Sequence, residues 1–197
     1  LHAVGIGGSG SGKTSWLRQE VRRRKVQRLL AWDPDEDHDA HRFESVRAFV
    51  RAVKKAHASG KGYRLALTVP AEQEAFEVWA RACWAVRDPA APVVALAEEI
   101  ADVTHPGKAP PAWGTLCRRG RKWGVDFLAT SQRPAECDKT AMTQAGAIWC
   151  GRLARVQDRR AVSAELDVNP ADLGSLKKLE YFYREGAEPA TKGKLKI

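Results

Sequence analysis

Eight residues near the amino end, Gly7-Gly8-Ser9-Gly10-Ser11-Gly12-Lys13-Thr14, restrict this chain more than any other stretch. They fit G-x-x-x-x-G-K-[ST], a loop that wraps phosphates. Glycines at 7, 8, 10 and 12 let the backbone adopt φ > 0 and turn its N–H groups inward as an anion nest. The apolar run Ala3-Val4-Gly5-Ile6 before the loop reads as a buried strand. Ser15 to Val21 after it reads as a helix whose amino end faces the phosphates. Lys13 is expected to reach the β- and γ-phosphates, and the Thr14 hydroxyl to bind Mg²⁺. The expected nucleotide-binding set is Gly8, Ser9, Gly10, Ser11, Gly12, Lys13, Thr14 and Ser15.

A length of 197 residues suits one domain with a sizeable core, here taken as 1–197. The chain opens on Leu1 rather than Met, which leaves room for a preceding segment. There are 33 basic and 24 acidic residues, a net charge of +9, which favours a polyanionic partner. Cys83, Cys117, Cys137 and Cys150 show no C-x-x-C spacing, so neither zinc ligation nor a disulfide framework is indicated, and a reducing compartment is expected. No signal peptide precedes the first strand. The longest uncharged stretch, Thr140 to Gly151, is too short to span a bilayer.

Strand and helix patterns alternate along the chain, which predicts an α/β domain with a mainly parallel sheet. Val26 to Trp32 and Tyr63 to Val69 read as strands, and Phe43, Val46, Phe49, Val50 and Val53 recur at helical spacing. Between them, Asp33 to Asp39 resembles a calcium loop only in its alternating Asp residues. His38 stands where the loop needs glycine, so a solvated acidic loop leading into a helix is expected, with His38 and His41 the weaker alternative as paired metal ligands. Ala71 to Arg87 reads as a helix with Phe76, Trp79, Ala80, Cys83 and Trp84 on a core-facing stripe.

A second informative stretch is Pro92 to Glu99, an apolar run ending in two carboxylates. Buried strands of parallel sheets are apolar on both faces, and their carboxyl ends carry the chemistry. It has the form of a Walker B strand, with Glu98 where Asp is usual. One carboxylate orders the Mg²⁺ shell and the other polarises the attacking water, the division between Glu98 and Glu99 being open. Ala101 to Pro111 is a long connection in which His105 and Lys108 are candidates for touching a polyanion. Ala112 to Trp123 reads as a helix with Arg118, Arg121 and Lys122 on one face, and Gly124 to Gln132 as a strand ending in a glutamine able to sense the γ-phosphate. Pro134 to Gln144 and Val156 to Leu166 read as helices, with the apolar strand Ala147 to Gly151 between them. Asn169-Pro170 opens a short turn, and Glu180 to Arg184 with Lys192 to Ile197 predicts a terminal hairpin.

The Gly-Arg-Lys at 120–122, an apolar strand, and Ala129-Thr130-Ser131-Gln132-Arg133-Pro134 together resemble the HerA/FtsK superfamily of DNA-pumping ATPases, with Ser131 inserted in the Ala-Thr-Gln-Arg-Pro phrase. The segment from Glu98 to Leu166 is most similar to the packaging ATPases of tailless, membrane-containing icosahedral viruses. That resemblance implies a RecA-like sheet of order 5-1-4-3-2, ATP with Mg²⁺, double-stranded DNA in the channel of a homo-oligomeric ring, a hexamer by analogy, and work in the host cytoplasm or at a virion vertex, where capsid or membrane-vertex proteins are the further partners to expect. It implies Thr14 and Glu98 at the metal, Glu99 at the water and Gln132 as sensor. It also implies an arginine finger acting on a neighbour, which maps onto Arg121 ahead of Arg118, Arg119 and Arg133. Two other readings stay open: an assembly or secretion ATPase of the filamentous-phage type, and a P-loop kinase or regulatory ATPase acting on small molecules.

Overall fold

The computed structural model describes residues 1–196. The elements run β1 (Ala3–Ile6), α1 (Lys13–Arg23), β2 (Arg28–Trp32), β3 (His41–Phe43), α2 (Val46–Ala58), β4 (Tyr63–Leu67), α3 (Gln73–Ala85), β5 (Val93–Ala97), α4 (Pro111–Arg119), β6 (Val125–Ser131), α5 (Thr140–Gln144), β7 (Ala147–Gly151), α6 (Val156–Leu166), α7 (Pro170–Ser175), β8 (Glu180–Glu185) and β9 (Thr191–Lys194). Turns of 3₁₀ helix cover Ile100–Asp102 and Gly120–Trp123.

They form a nine-stranded sheet of order β3-β4-β2-β5-β6-β1-β7-β8-β9. The expected order 5-1-4-3-2 is present as the contiguous parallel run β7-β1-β6-β5-β2. It is incomplete as a description, because β4 and β3 extend the parallel sheet beyond β2. On the other side the expected hairpin, β8 and β9, adds antiparallel strands beyond β7. The last residue assigned to that hairpin, Ile197, lies outside the described residues.

The strand β1 is buried at all four positions, as a central parallel strand must be. One face of the sheet is covered by α1, whose Trp16, Leu17 and Val21 join Leu29, Ala31, Leu96 and Leu128 in one cluster. Gly5 permits that approach: a Cβ there would lie 2.6 Å from the Trp16 ring. The opposite face carries Phe49, Phe76, Trp79, Trp113 and Val162 from the other helices. The aromatic stripe of α3 is core as expected, with Phe76 5.2 Å from Trp79 and 5.3 Å from Trp113 between ring centroids. Trp84 is the exception; it is half-buried and stacks under the Arg87 guanidinium at 4.9 Å.

Four local expectations change. The strand β3 intervenes between the acidic segment and α2, which Ser45 caps. The expected helix over 112–123 ends at Arg119 and tightens into 3₁₀. The expected helix over 134–144 is reduced to α5, and Asn169 caps the short helix α7 where a turn was read. All four cysteines are free and buried. Among the described residues, no helix is long and apolar enough to cross a membrane.

Candidate nucleotide site

Because β1, β2, β5, β6 and β7 are parallel, their carboxyl ends share one edge, where α/β sheets place ligands. The loop of residues 7–12 leaves β1 at that edge and is tied to both neighbours. Gly7 N–H donates to Ser131 O at 3.1 Å and Gly8 N–H to Arg152 O at 2.9 Å. Gly10 and Gly12 have φ of 71° and 103°, a left-handed pair that gives the loop its inward-facing amides. Gly12 also caps α1, so the helix amino end opens into the loop.

Lys13 is buried, and its ammonium donates to Gly7 O at 2.9 Å and Gly8 O at 3.3 Å. Burial lowers its pKa, opposed by the negative charge of Glu99 and then of Glu98. A buried cation resting on its own loop carbonyls is a fit for phosphate, as is the Ser11 hydroxyl, buried with no partner among the described residues.

The two carboxylates sit differently. Glu98 is buried; its Oε1 lies 2.8 Å from His38 Nε2, and its Oε2 accepts from the Thr130 hydroxyl. Glu99 has φ of 41°, a left-handed conformation rare for a residue with a side chain, of the sort that collects at functional sites. That turn sends its carboxylate to the end of β6, where it accepts the Gln132 N–H at 2.8 and 3.0 Å and the Ser131 hydroxyl at 3.2 Å. Burial raises the Glu99 pKa, and the Gln132 N–H and Lys13 charge oppose the rise. The Thr130 hydroxyl also accepts the Glu99 N–H at 3.1 Å, so one oxygen ties both carboxylates to β6.

The acidic segment after β2 is solvated only in part: Asp35, Glu36 and Asp39 are exposed, but Asp33 and His38 are not. Asp33 is wholly buried and accepts the Asp37 N–H at 2.9 Å and the His38 N–H at 3.0 Å. This folds His38 inward onto Glu98. Burial raises the Asp33 pKa, with these amides opposing. His41 lies on β3, apart from His38, and among the described residues no group of three His, Cys, Asp or Glu gathers as a metal cluster. Asp33, His38 and Thr130 were not expected at the site; only the position of Asp33 and Thr130 at strand ends signals them in the sequence.

Gln132 is exposed on the site edge. Arg121 is exposed at the other edge, before the seven-residue β6. At about 3.3 Å per residue the strand separates it from its own Glu99 by roughly 20 Å. Arg133 lies 3.4 Å from Glu136, which Arg155 also engages. The connection after β5 is pinned at its base, Thr104 donating to Ile100 O at 2.8 Å, and residues 105–108, with His105 and Lys108, are exposed.

A parallel sheet with a glycine-rich phosphate loop on a central strand and paired carboxylates at an adjoining strand end defines a P-loop ATPase. More narrowly, the chain belongs to the family of Protein P9 of Pseudoalteromonas phage PM2, with 38% identity over 198 residues, covering 98% of this chain and 89% of that protein. No family model matches the chain. The fold is that of the genome packaging NTPase B204 of Sulfolobus turreted icosahedral virus 2 in complex with ATPγS, with a TM-score of 0.79 at 15% identity over 100% of this chain and 98% of that one. The cytoplasmic domain of the Type VII secretion ATPase EccC of Thermomonospora curvata is similar at a TM-score of 0.57 and 17% identity, over 98% of this chain and 25% of that one.

Proposed function

We propose that this chain is an ATP-driven motor that moves double-stranded viral DNA into a preformed capsid, working as a homo-oligomeric ring. The observation that carries the reading is the meeting of Lys13, Glu98 and Glu99 at one sheet edge, on the fold of a packaging NTPase. In this reading the loop amides and Lys13 hold the β- and γ-phosphates. Glu99, set between Lys13 and the Gln132 amide, takes the proton of the attacking water, and Gln132 reports the γ-phosphate. Thr14 and Glu98 are the hard oxygen donors that would hold Mg²⁺, an ion that takes one or two carboxylates and otherwise phosphates and water. When bound, the ion neutralises charge on the phosphate oxygens.

Arg121 lies at the opposite end of β6 from its own site, so any role at a γ-phosphate is in a neighbouring subunit. The net charge of +9 fits sequence-independent contact with phosphates, the behaviour a pump requires. The test is the ATPase rate with and without long duplex DNA of unrelated sequences. Stimulation by every duplex, lost in Lys13→Ala, is expected; a rate indifferent to DNA refutes the motor.

A further inference from the structure

The helix α2 is divided along its length. Phe49 and Val53 are buried, and Val46, Val50, Ala52 and Ala56 pack beside them, so its apolar face is taken up by the core. Its exposed residues are Arg47, Arg51, Lys54, Lys55 and Ala58, so every long side chain it shows to solvent is a cation. The helix contains no Asp or Glu, and its 13 residues therefore supply +4 of the net +9 of the chain. Spacings of i, i+4, i+7 and i+8 from Arg47 put the four charges on one stripe, about 12 Å long at about 1.5 Å per residue.

An ordinary solvated face mixes the two signs of charge. On the neighbouring segment Arg18 lies 3.4 Å from Asp37 and Arg42 2.8 Å from Glu36, whereas the four α2 cations have no ion-pair partner among the described residues. The helix itself opposes the arrangement. Arg47 stands in the first turn, which favours anions, and Arg47–Arg51 and Arg51–Lys55 set like charges four residues apart. Of the four, only Lys55 lies in the last turn, where a helix favours cations. An anion from outside relieves that repulsion, and the chemistry of the stripe selects which. A helix that lies on a membrane buries its apolar face in lipid, and α2 has that face in the core. The stripe holds no Asn, Gln or aromatic side chain to read bases or stack on them. A row of point charges suits regularly spaced phosphates: a duplex presents one charge per about 1.7 Å, about seven over the length of the stripe. The position fits as well. The strand β3 runs parallel to β4, so the start of α2 lies at the nucleotide edge, and the segment that leads into it carries His38 onto Glu98.

We propose that the outer face of α2 holds duplex DNA, with Arg47, Arg51, Lys54 and Lys55 on the phosphates of its backbone and no contact that reads sequence. The DNA contact and the Glu98 carboxylate are then joined by one short stretch of chain, from Asp33 to Ser45. This rests on the motor reading above and gives its DNA a surface.

Arg47→Gln, Arg51→Gln, Lys54→Gln and Lys55→Gln together remove the charges and keep residues that favour a helix. A control with Arg22→Gln, Arg160→Gln, Lys194→Gln and Lys196→Gln removes the same charge from exposed positions elsewhere. Each is compared with wild type by the anisotropy of a labelled duplex across a salt series, and by the ATPase rate with and without long duplex DNA. For the α2 variant the slope of log K against log salt should be shallower by about three to four, with binding at least about tenfold weaker at about 0.1 M salt. Its stimulation by DNA should vanish, while its rate without DNA stays within about twofold of wild type, which shows that it folds. The control should keep both stimulation and a slope within about one of wild type. An α2 variant with the wild-type slope and stimulation, or a control as impaired as the α2 variant, overturns the DNA surface alone. So does an α2 variant that keeps DNA binding and loses binding to anionic phospholipid vesicles. Wild-type protein that neither binds duplex nor responds to it overturns the motor reading and this proposal with it.

Discussion

Replacing Thr130 by Val tests whether one hydroxyl sets both carboxylates. The two side chains have nearly the same shape, and Thr130 is wholly buried, so packing changes little while two hydrogen bonds vanish. Losing a hydrogen bond to a charged group costs about 1.5–3 kcal/mol, and a buried N–H left without a partner about 1–3 kcal/mol. Both bonds share one oxygen, so a total of about 2–4 kcal/mol is expected. At about 2–4 °C per kcal/mol for a chain of this size, calorimetry should show Tm falling by about 5–15 °C. Catalysis should fall further in relative terms. The same hydroxyl holds the left-handed Glu99 backbone, and misplacing a catalytic group by about 1 Å costs up to about 10²-fold. A steady-state ATPase assay should therefore give kcat lower by about 10- to 100-fold, with KM within about threefold because Lys13 and its loop are untouched. Thr130→Ser keeps the oxygen and should recover most of both losses. A Val variant with wild-type kcat and Tm, or a Ser variant as impaired as Val, refutes the reasoning.

Arg121→Ala should lower the ATPase rate about 10³-fold, and mixing it with Glu99→Gln protein should restore part of it, since each supplies what the other lacks; absence of rescue in the mixed sample argues against action on a neighbour. Glu20 anchors the end of α1 through Arg23 at 2.8 Å and Arg24 at 2.9 Å. Burial pushes its carboxyl up, but the two guanidiniums win and hold it below its ordinary 4.5. Its contribution is therefore present above about pH 4.5 and lost as pH falls through the folded-state value. Urea unfolding should show Glu20→Gln less stable by about 1 kcal/mol at pH 7, allowing for solvent screening, with the gap narrowing as pH falls below 4.5; a gap that does not change with pH would mean packing rather than charge. Gly5→Ala should cost about 1–3 kcal/mol by pushing on Trp16, and Trp16→Leu added to it should return part of the loss; a neutral Gly5→Ala would show that α1 can move away from the sheet.

How far the sequence exposes this molecule depends on whether a feature is local along the chain. The phosphate loop is local: eight consecutive residues, with glycines where the backbone needs φ > 0, encode both its shape and its ligand chemistry. The central strands are local too, since a run such as Val93–Ala97 is apolar only because both its faces are covered. The carboxylate pair at 98–99 was legible as a pair, but not as two environments. A single turn of backbone at Glu99 separates one carboxylate, clasped by His38 and Thr130, from its neighbour on the Gln132 amide. That difference comes from residues 60 positions before and 32 after Glu98, which no spacing rule connects.

The acidic segment shows the same point from the other direction. Asp33 to Asp39 looks like solvated charge because its composition is polar, yet composition cannot tell which oxygens water keeps. Asp33 spends its two oxygens on the amides of Asp37 and His38, and that closes the segment into a tight turn with Asp33 and His38 buried while Asp35, Glu36 and Asp39 stay in solvent. The turn's one buried product is the His38 ring against Glu98. A carboxylate held from two sides, by the turn after β2 and by a hydroxyl on β6, cannot swing freely; Glu99 is likewise tied to the end of β6. The sheet thus positions its reactive groups through side chains on three different strand ends, and the glycine-rich motif encodes only the fourth.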